Sequence, residues 1–77
     1  MNLEIISPEK VIYKGEVDSI TLPGMMGLFT ILDNHAPIVS ALKKGVLAYK
    51  VGNEDVKTEI NSGFVEVGKN IVSICIE

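Results

Sequence analysis

The sequence predicts an all-β fold, a small sandwich or barrel of about eight to ten short strands. Three observations carry that prediction. Apolar residues recur at every second position, turn residues punctuate the chain every 6 to 12 residues, and no 11-residue window supports an amphipathic helix. Leu3 and Ile5 alternate with Glu4 until Ser7-Pro8 breaks the pattern. Val11 to Val17 follows, rich in β-formers (Val11, Ile12, Tyr13), with Gly15 placed for a bulge. Asp18 to Leu22 carries Ile20 and Leu22 on one face before Pro23-Gly24 turns the chain, and Leu28 to Leu32 reads as a short buried strand.

No helix beyond a single turn near Ala36 to Leu42 is expected. Gly45 to Val51 is the clearest central strand, and Gly52-Asn53 is a hairpin turn signal. Val56, Thr58 and Ile60 then alternate with Lys57 and Glu59. Asn61-Ser62-Gly63 turns again, and Phe64–Val67 and Ile71–Ile76 form a last pair joined by Gly68-Lys69-Asn70. No linker, repeat or low-complexity tract divides the chain, so residues 1–77 are expected to form one domain.

Seventy-seven residues lie near the lower limit for an independent core. Domains this small often gain stability from disulfides, a metal or a partner. Cys75 is the only cysteine, which excludes an internal disulfide, and one His with one Cys supplies too few soft ligands for a tetrahedral metal site. A partner is the remaining candidate. The net charge is −3 and no basic cluster exceeds Lys43-Lys44, which argues against nucleic-acid binding. No apolar run approaches the roughly 20 residues of a membrane span. Met1-Asn2-Leu3-Glu4 opens without the basic and apolar regions of a secretory signal, so a cytosol-side protein is expected.

The segment Leu22 to Pro37 is the most informative. It sets Met25, Met26, Leu28 and Phe29 around Gly24 and Gly27, where most loops are polar, and adds the only histidine, His35. The glycines are expected to take positive φ in a turn. Met25 and Met26 fit either a core, as gap-fillers, or an exposed, adaptable contact surface. A catalytic set would need His35 as base with Asp33 or Ser40 nearby. Pro37 favours a turn over the extended geometry that would align them, and a structural role for His35, bonding loop carbonyls, is expected instead. Gly24-Met25-Met26-Gly27 lacks the Gly-Lys-Ser/Thr of a phosphate loop and the polar interior of a nucleic-acid-clamping GxxG loop. The carboxylates are scattered as on a solvated face.

Several stretches together resemble the epsilon subunit of F-type ATP synthases (the delta subunit in mitochondria). They are Leu22-Pro-Gly-x-x-Gly-x-Phe-Thr-Ile-Leu32, His35-Ala36-Pro37, Leu42-x-x-Gly45, Asn61-Ser62-Gly63-Phe64-Val65-Glu66-Val67, Asn70-Ile71-Val72-Ser73-Ile74 and the opening Leu3-Glu4-Ile5-Ile6-Ser7-Pro8-Glu9. The resemblance covers essentially the whole chain in the right order. It implies a small flattened β-sandwich and a non-catalytic rotor subunit without cofactor or metal. Its partners would be the gamma subunit and the c ring, and its role the coupling of proton flow to ATP synthesis. Membrane association would come only through that complex, at the cytoplasmic face of the bacterial inner membrane.

By alignment with family positions, Ser7, His35 and Ser40 are expected at the gamma interface. Gly24, Met25, Met26, Gly27, Leu28 and Phe29 are expected to face the c ring. Leu28 stands where many bacterial members carry an acid, so an apolar contact is expected there, and Phe64 replaces the second of two adjacent family glycines. The family's C-terminal helical hairpin would begin where this sequence stops, at Glu77. The expectation is a coupling subunit lacking that hairpin and its inhibition of hydrolysis. Two rival classes fit less well. A biotinyl or lipoyl carrier needs a modifiable lysine flanked by methionine at a hairpin tip, which Lys43-Lys44 does not provide. A single-strand nucleic-acid binder needs aromatic platforms on a basic face.

Overall fold

The computed structural model describes residues 1–77 and contains nine strands and no helix. They are β1 (Asn2–Ile6), β2 (Val11–Glu16), β3 (Ser19–Gly24), β4 (Gly27–Ile31), β5 (Ile38–Leu42), β6 (Gly45–Val51), β7 (Glu54–Ile60), β8 (Gly63–Gly68) and β9 (Ile71–Ile76). One sheet curls so that its two halves face each other. The first layer runs β2-β1-β9-β8-β5, and the second holds β3, β6 and β7 with β4 on the free side of β3. The halves meet at a single pairing, Gly24 with Leu42. Every pairing is antiparallel except β1 with β9, whose connection crosses the whole chain.

Period-two alternation decides which side chains face inward. Leu3, Ile5, Val65, Val67, Val72 and Ile74 from the first layer meet Ile20, Leu22, Ile31 and Leu47 from the second, all buried. Tyr13 leans on Tyr49 with ring centroids 4.5 Å apart and 39° between planes, closing one flank of the core. The core contains no polar residue, and no buried side-chain polar atom lacks a hydrogen-bond partner. The shortest axis is 19 Å, the thickness of two packed layers with their outer side chains.

Four local expectations are corrected. Ile38–Leu42 is a strand rather than a helical turn, because Pro37 favours extended backbone before it and β8 supplies a full ladder from Ile38↔Val67 to Leu42↔Gly63. Gly27–Ile31 is an edge strand and only half buried: Leu28 and Thr30 face solvent while Ile31 enters the core. The bulge in β2 falls at Ile12, where Ile5 pairs with Tyr13 and Ile6 with Val11, and Gly15 pairs regularly with Leu3. The third strand runs on through Pro23. Pairing of β3 with β6 stops at Thr21, so the missing N–H of Pro23 leaves no ladder bond unmade on that side, and its carbonyl accepts the Lys43 N–H at 2.9 Å.

The connections sort into two ends. The hairpin end gathers the β1–β2 turn at Ser7–Lys10, the Met25-Met26 turn, the Lys43-Lys44 bend, the Asn61-Ser62 turn and Glu77. The opposite end gathers Met1, the Asp33–Pro37 loop, and the Gly52-Asn53 and Lys69-Asn70 turns.

Candidate interaction surfaces

Met25 and Met26 form a two-residue turn between Gly24 and Gly27, which pair across it. Neither methionine takes positive φ; Gly27 absorbs it at +124°. Gly24 does not, contrary to the turn expectation. It is buried in the strand because the Phe29 ring packs over it: an added Cβ would sit 2.8 Å from Phe29 Cδ1 and Cε1. Phe29 packs against the core and anchors the hairpin root. The tip is open, with Met25 61%, Leu28 73% and Met26 fully exposed. The open choice for the methionines is thereby decided. They are surface, and the six residues Gly24, Met25, Met26, Gly27, Leu28 and Phe29 form an anchored apolar projection.

Ser7, His35 and Ser40 are not brought together. Ser7 closes the β1–β2 turn: its Oγ accepts the N–H groups of Glu9 and Lys10 and donates to the Lys10 carbonyl at 3.2 Å. That is a turn-building role at the hairpin end. His35 lies at the opposite end, about five residues of strand away, or ~16 Å. Its backbone N–H bonds the Leu32 carbonyl and its Nδ1 donates to the Ala36 carbonyl at 2.8 Å, the loop-holding role expected of it. Ser40 sits mid-strand on the same side of β5 as Leu42, half-buried, with its hydroxyl donating to the Ala41 carbonyl at 3.3 Å.

A catalytic reading of His35 has no geometry to support it. Asp33 Oδ1 accepts the Met1 ammonium at 2.8 Å, and Ser40 is engaged with backbone. The same ammonium donates to Glu16 Oε2 and to the Val17 carbonyl, both at 3.2 Å. The Asp33 hydrogen bond, against an opposing desolvation penalty and with help from Glu16, raises its pKa above the ordinary terminal-amine value of 8.0. Beside it, the Asn34 N–H bonds Asn70 Oδ1 at 2.8 Å, tying the β4–β5 loop to the β8–β9 turn.

The outer face of the first layer holds a surface that sequence reading did not single out. Ala41, Phe64, Cys75 and Ile6 are consecutive partners across β5, β8, β9 and β1, forming one row. Val39 (74% exposed) and Ile71 extend it along the strands. At the hairpin end this row opens into a groove of about 460 Å³ lined by Ile6, Ser7, Pro8, Phe64, Cys75 and Ile76 among others. The signal was present in the alternation of β8: if Val65 and Val67 face inward, Phe64 must share the outer face with Glu66.

The family described as "ATP synthase, Delta/Epsilon chain, beta-sandwich domain" matches residues 1–77. An ATP synthase epsilon chain of Leptospira borgpetersenii is 50% identical over 74 residues, covering 96% of this chain and 58% of that protein. One from Maridesulfovibrio salexigens is 43% identical over 75 residues, covering 97% and 53%. The chain thus spans little more than half the length of these relatives. Among solved structures, a chain of the Euglena gracilis mitochondrial ATP synthase, OSCP/F1/c-ring, superimposes with a TM-score of 0.91 at 27% identity, covering 96% of this chain and 48% of that one. A chain of the Tetrahymena thermophila mitochondrial ATP synthase central stalk/c-ring structure gives 0.85 at 18% identity, covering 97% and 61%, a likeness of fold. The nine-stranded sandwich, its anchored apolar hairpin and a match over the full 77 residues place this chain in the ATP synthase delta/epsilon family, as its β-sandwich domain.

Proposed function

We propose that residues 1–77 act as one non-catalytic domain of a central-stalk (rotor) subunit, binding gamma and the c ring and coupling proton flow to ATP synthesis. The observation that carries this is the hairpin Gly24 to Phe29. It is rigid at its root and apolar at its tip, and nothing else in the fold covers it. A surface of that kind is a contact surface. Rotor relatives of the same fold belong to assemblies with a c ring, which supports assigning the hairpin to that ring.

The gamma contact is assigned to the side of the first layer. A partner that touches Ser7 at one end and His35 at the other must run the length of β1. The exposed apolar residues Val39, Phe64 and Ile71 belong to the face between them. Ser40, on β5 between Val39 and Ala41, turns to the inner side with Leu42, so its part in a gamma contact rests on the alignment with family positions and not on that face. No cofactor or metal enters the proposal, and these residues are assigned coupling without restraint of hydrolysis. The complex would hold the domain at the cytoplasmic face of the bacterial inner membrane.

Calorimetric titration against the gamma subunit of the same organism tests this. One-to-one binding, weakened at least about tenfold by Phe64→Glu on the outer face, is expected from the burial of an aromatic anchor. Absence of binding to folded gamma would overturn the reading. Adding the chain to its ATP synthase should leave ATP hydrolysis unrestrained, and suppression would refute the coupling-only assignment.

A further inference from the structure

The hairpin end carries a second feature besides its methionines. The segment Leu22 to Leu32 holds no charged residue, so the apolar projection brings no charge of its own. Lys43 and Lys44 stand directly beside its root: the Lys43 N–H bonds the Pro23 carbonyl at 2.9 Å, Gly24 pairs with Leu42, and Gly45 packs on Pro23. Both lysines are exposed, and neither enters an ion pair. The ion pairs of the chain are both made by Met1 at the opposite end. Glu59 borders the same shallow depression as Lys44 without pairing to it.

We propose that this end is a composite knob, Met25, Met26 and Leu28 flanked by Lys43 and Lys44, that fits a protein surface with an apolar socket and an acidic rim. The proposal rests on the ring-facing placement of the hairpin and specifies the chemistry of the ring loops that receive it. Unpaired lysines beside an apolar contact select a rim of carboxylates, since like charges would meet a basic rim unfavourably. Flexible methionines suit a socket whose shape shifts as rotor parts settle against each other. A bilayer is the weaker occupant: two lysines attract an anionic surface feebly, and a two-residue tip inserts little apolar chain.

The test is binding of the chain, in complex with its gamma subunit, to the detergent-solubilised c ring of the same organism at low and high salt. Met25→Ser with Met26→Ser should weaken ring binding by at least about tenfold at both salt levels. Lys43→Glu with Lys44→Glu should weaken it by roughly three- to tenfold at low salt, with the difference fading at high salt. Both double variants should keep wild-type affinity for gamma, which shows that they fold. Tighter ring binding by the glutamate variant, or no change in either, would overturn the composite knob while leaving the ring placement intact. Failure of the wild-type complex to bind the ring would overturn the placement itself. Equal binding to phosphatidylglycerol vesicles without the ring would assign the knob to lipid and refute the proposal.

Discussion

The two ends of this sandwich use opposite chemistry. At one end the chain is drawn in: the Met1 ammonium bonds Asp33, Glu16 and the Val17 carbonyl, and Asn70 holds the backbone of Asn34. At the other end an apolar hairpin projects, held by packing at its root and by nothing at its tip. Polar contacts close the first end because an exposed strand terminus leaves backbone and charge to satisfy locally. The hairpin end leaves apolar area uncovered, a cost that only a partner can offset. The contrast is therefore between a polar end bonded to itself and an end whose packed root carries an open apolar tip, and substitutions at tip, root and polar end should report on different properties.

The largest expected effect lies at the root of the hairpin end. A Cβ on Gly63 would collide with the Cys75 carbonyl oxygen within the β8–β9 ladder, and with the Ile76 backbone at 3.2 Å. Gly63→Ala should cost about 3 kcal/mol or more, because every atom the new Cβ would meet is β9 backbone, with no flexible side-chain end to yield. Thermal denaturation would show a fall of at least about 12 °C for a domain this size. A loss under about 1 kcal/mol would mean that this end is loosely built, breaking the distinction between a fixed root and a free tip.

Next comes the closed end. Acetylating Met1 in the 77-residue chain removes the charge and two of the three donated bonds, and should cost about 2 kcal/mol, discounted for the exposure of Glu16 and Asp33. The unmodified chain should also show a pH slope that the acetylated one lacks. The ammonium's pKa is raised on folding above 8.0, so its contribution is complete below pH 8.0 and is lost as pH rises through the folded value. Denaturant midpoints measured from pH 7 to 10 test the sign. A midpoint that rises with pH over that interval, beyond the acetylated control, would contradict the ion-pair account.

Much of this could be read before the fold was seen, and the reasons differ by region. Strand β1 alternates cleanly because one of its faces lies on the core and Glu4 separates Leu3 from Ile5, so those two declared their side. Ile38–Leu42 did not, since its outward residues Val39 and Ala41 are apolar too and erase the period. The same masking hid the Phe64 row, whose apolar outer residues look like core in one dimension. Met25 and Met26 stayed ambiguous because hydrophobicity states a preference for burial without saying by what. Only the backbone, with Gly24 closed over by Phe29 and the tip beyond it, decides that. The split of Ser7 from His35 was likewise invisible, because separation along a chain says nothing about which end of a sheet each connection reaches.

The smallest effect on stability should come from the tip. Met26 is fully exposed, and replacing it by Ser removes no buried contact, leaves Gly27 to carry the positive φ and keeps the two-residue turn. Met26→Ser should therefore shift the unfolding free energy by no more than about 0.5 kcal/mol in either direction. Solubility should rise, since the variant shrinks an apolar patch open to self-association. Sedimentation at rising concentration and a denaturant melt check both. A loss of more than about 1 kcal/mol would show that the methionine packs on the domain in solution, leaving a different hairpin from the projecting one. Little change in stability together with weaker ring binding would place its use outside the domain, on whatever the hairpin touches.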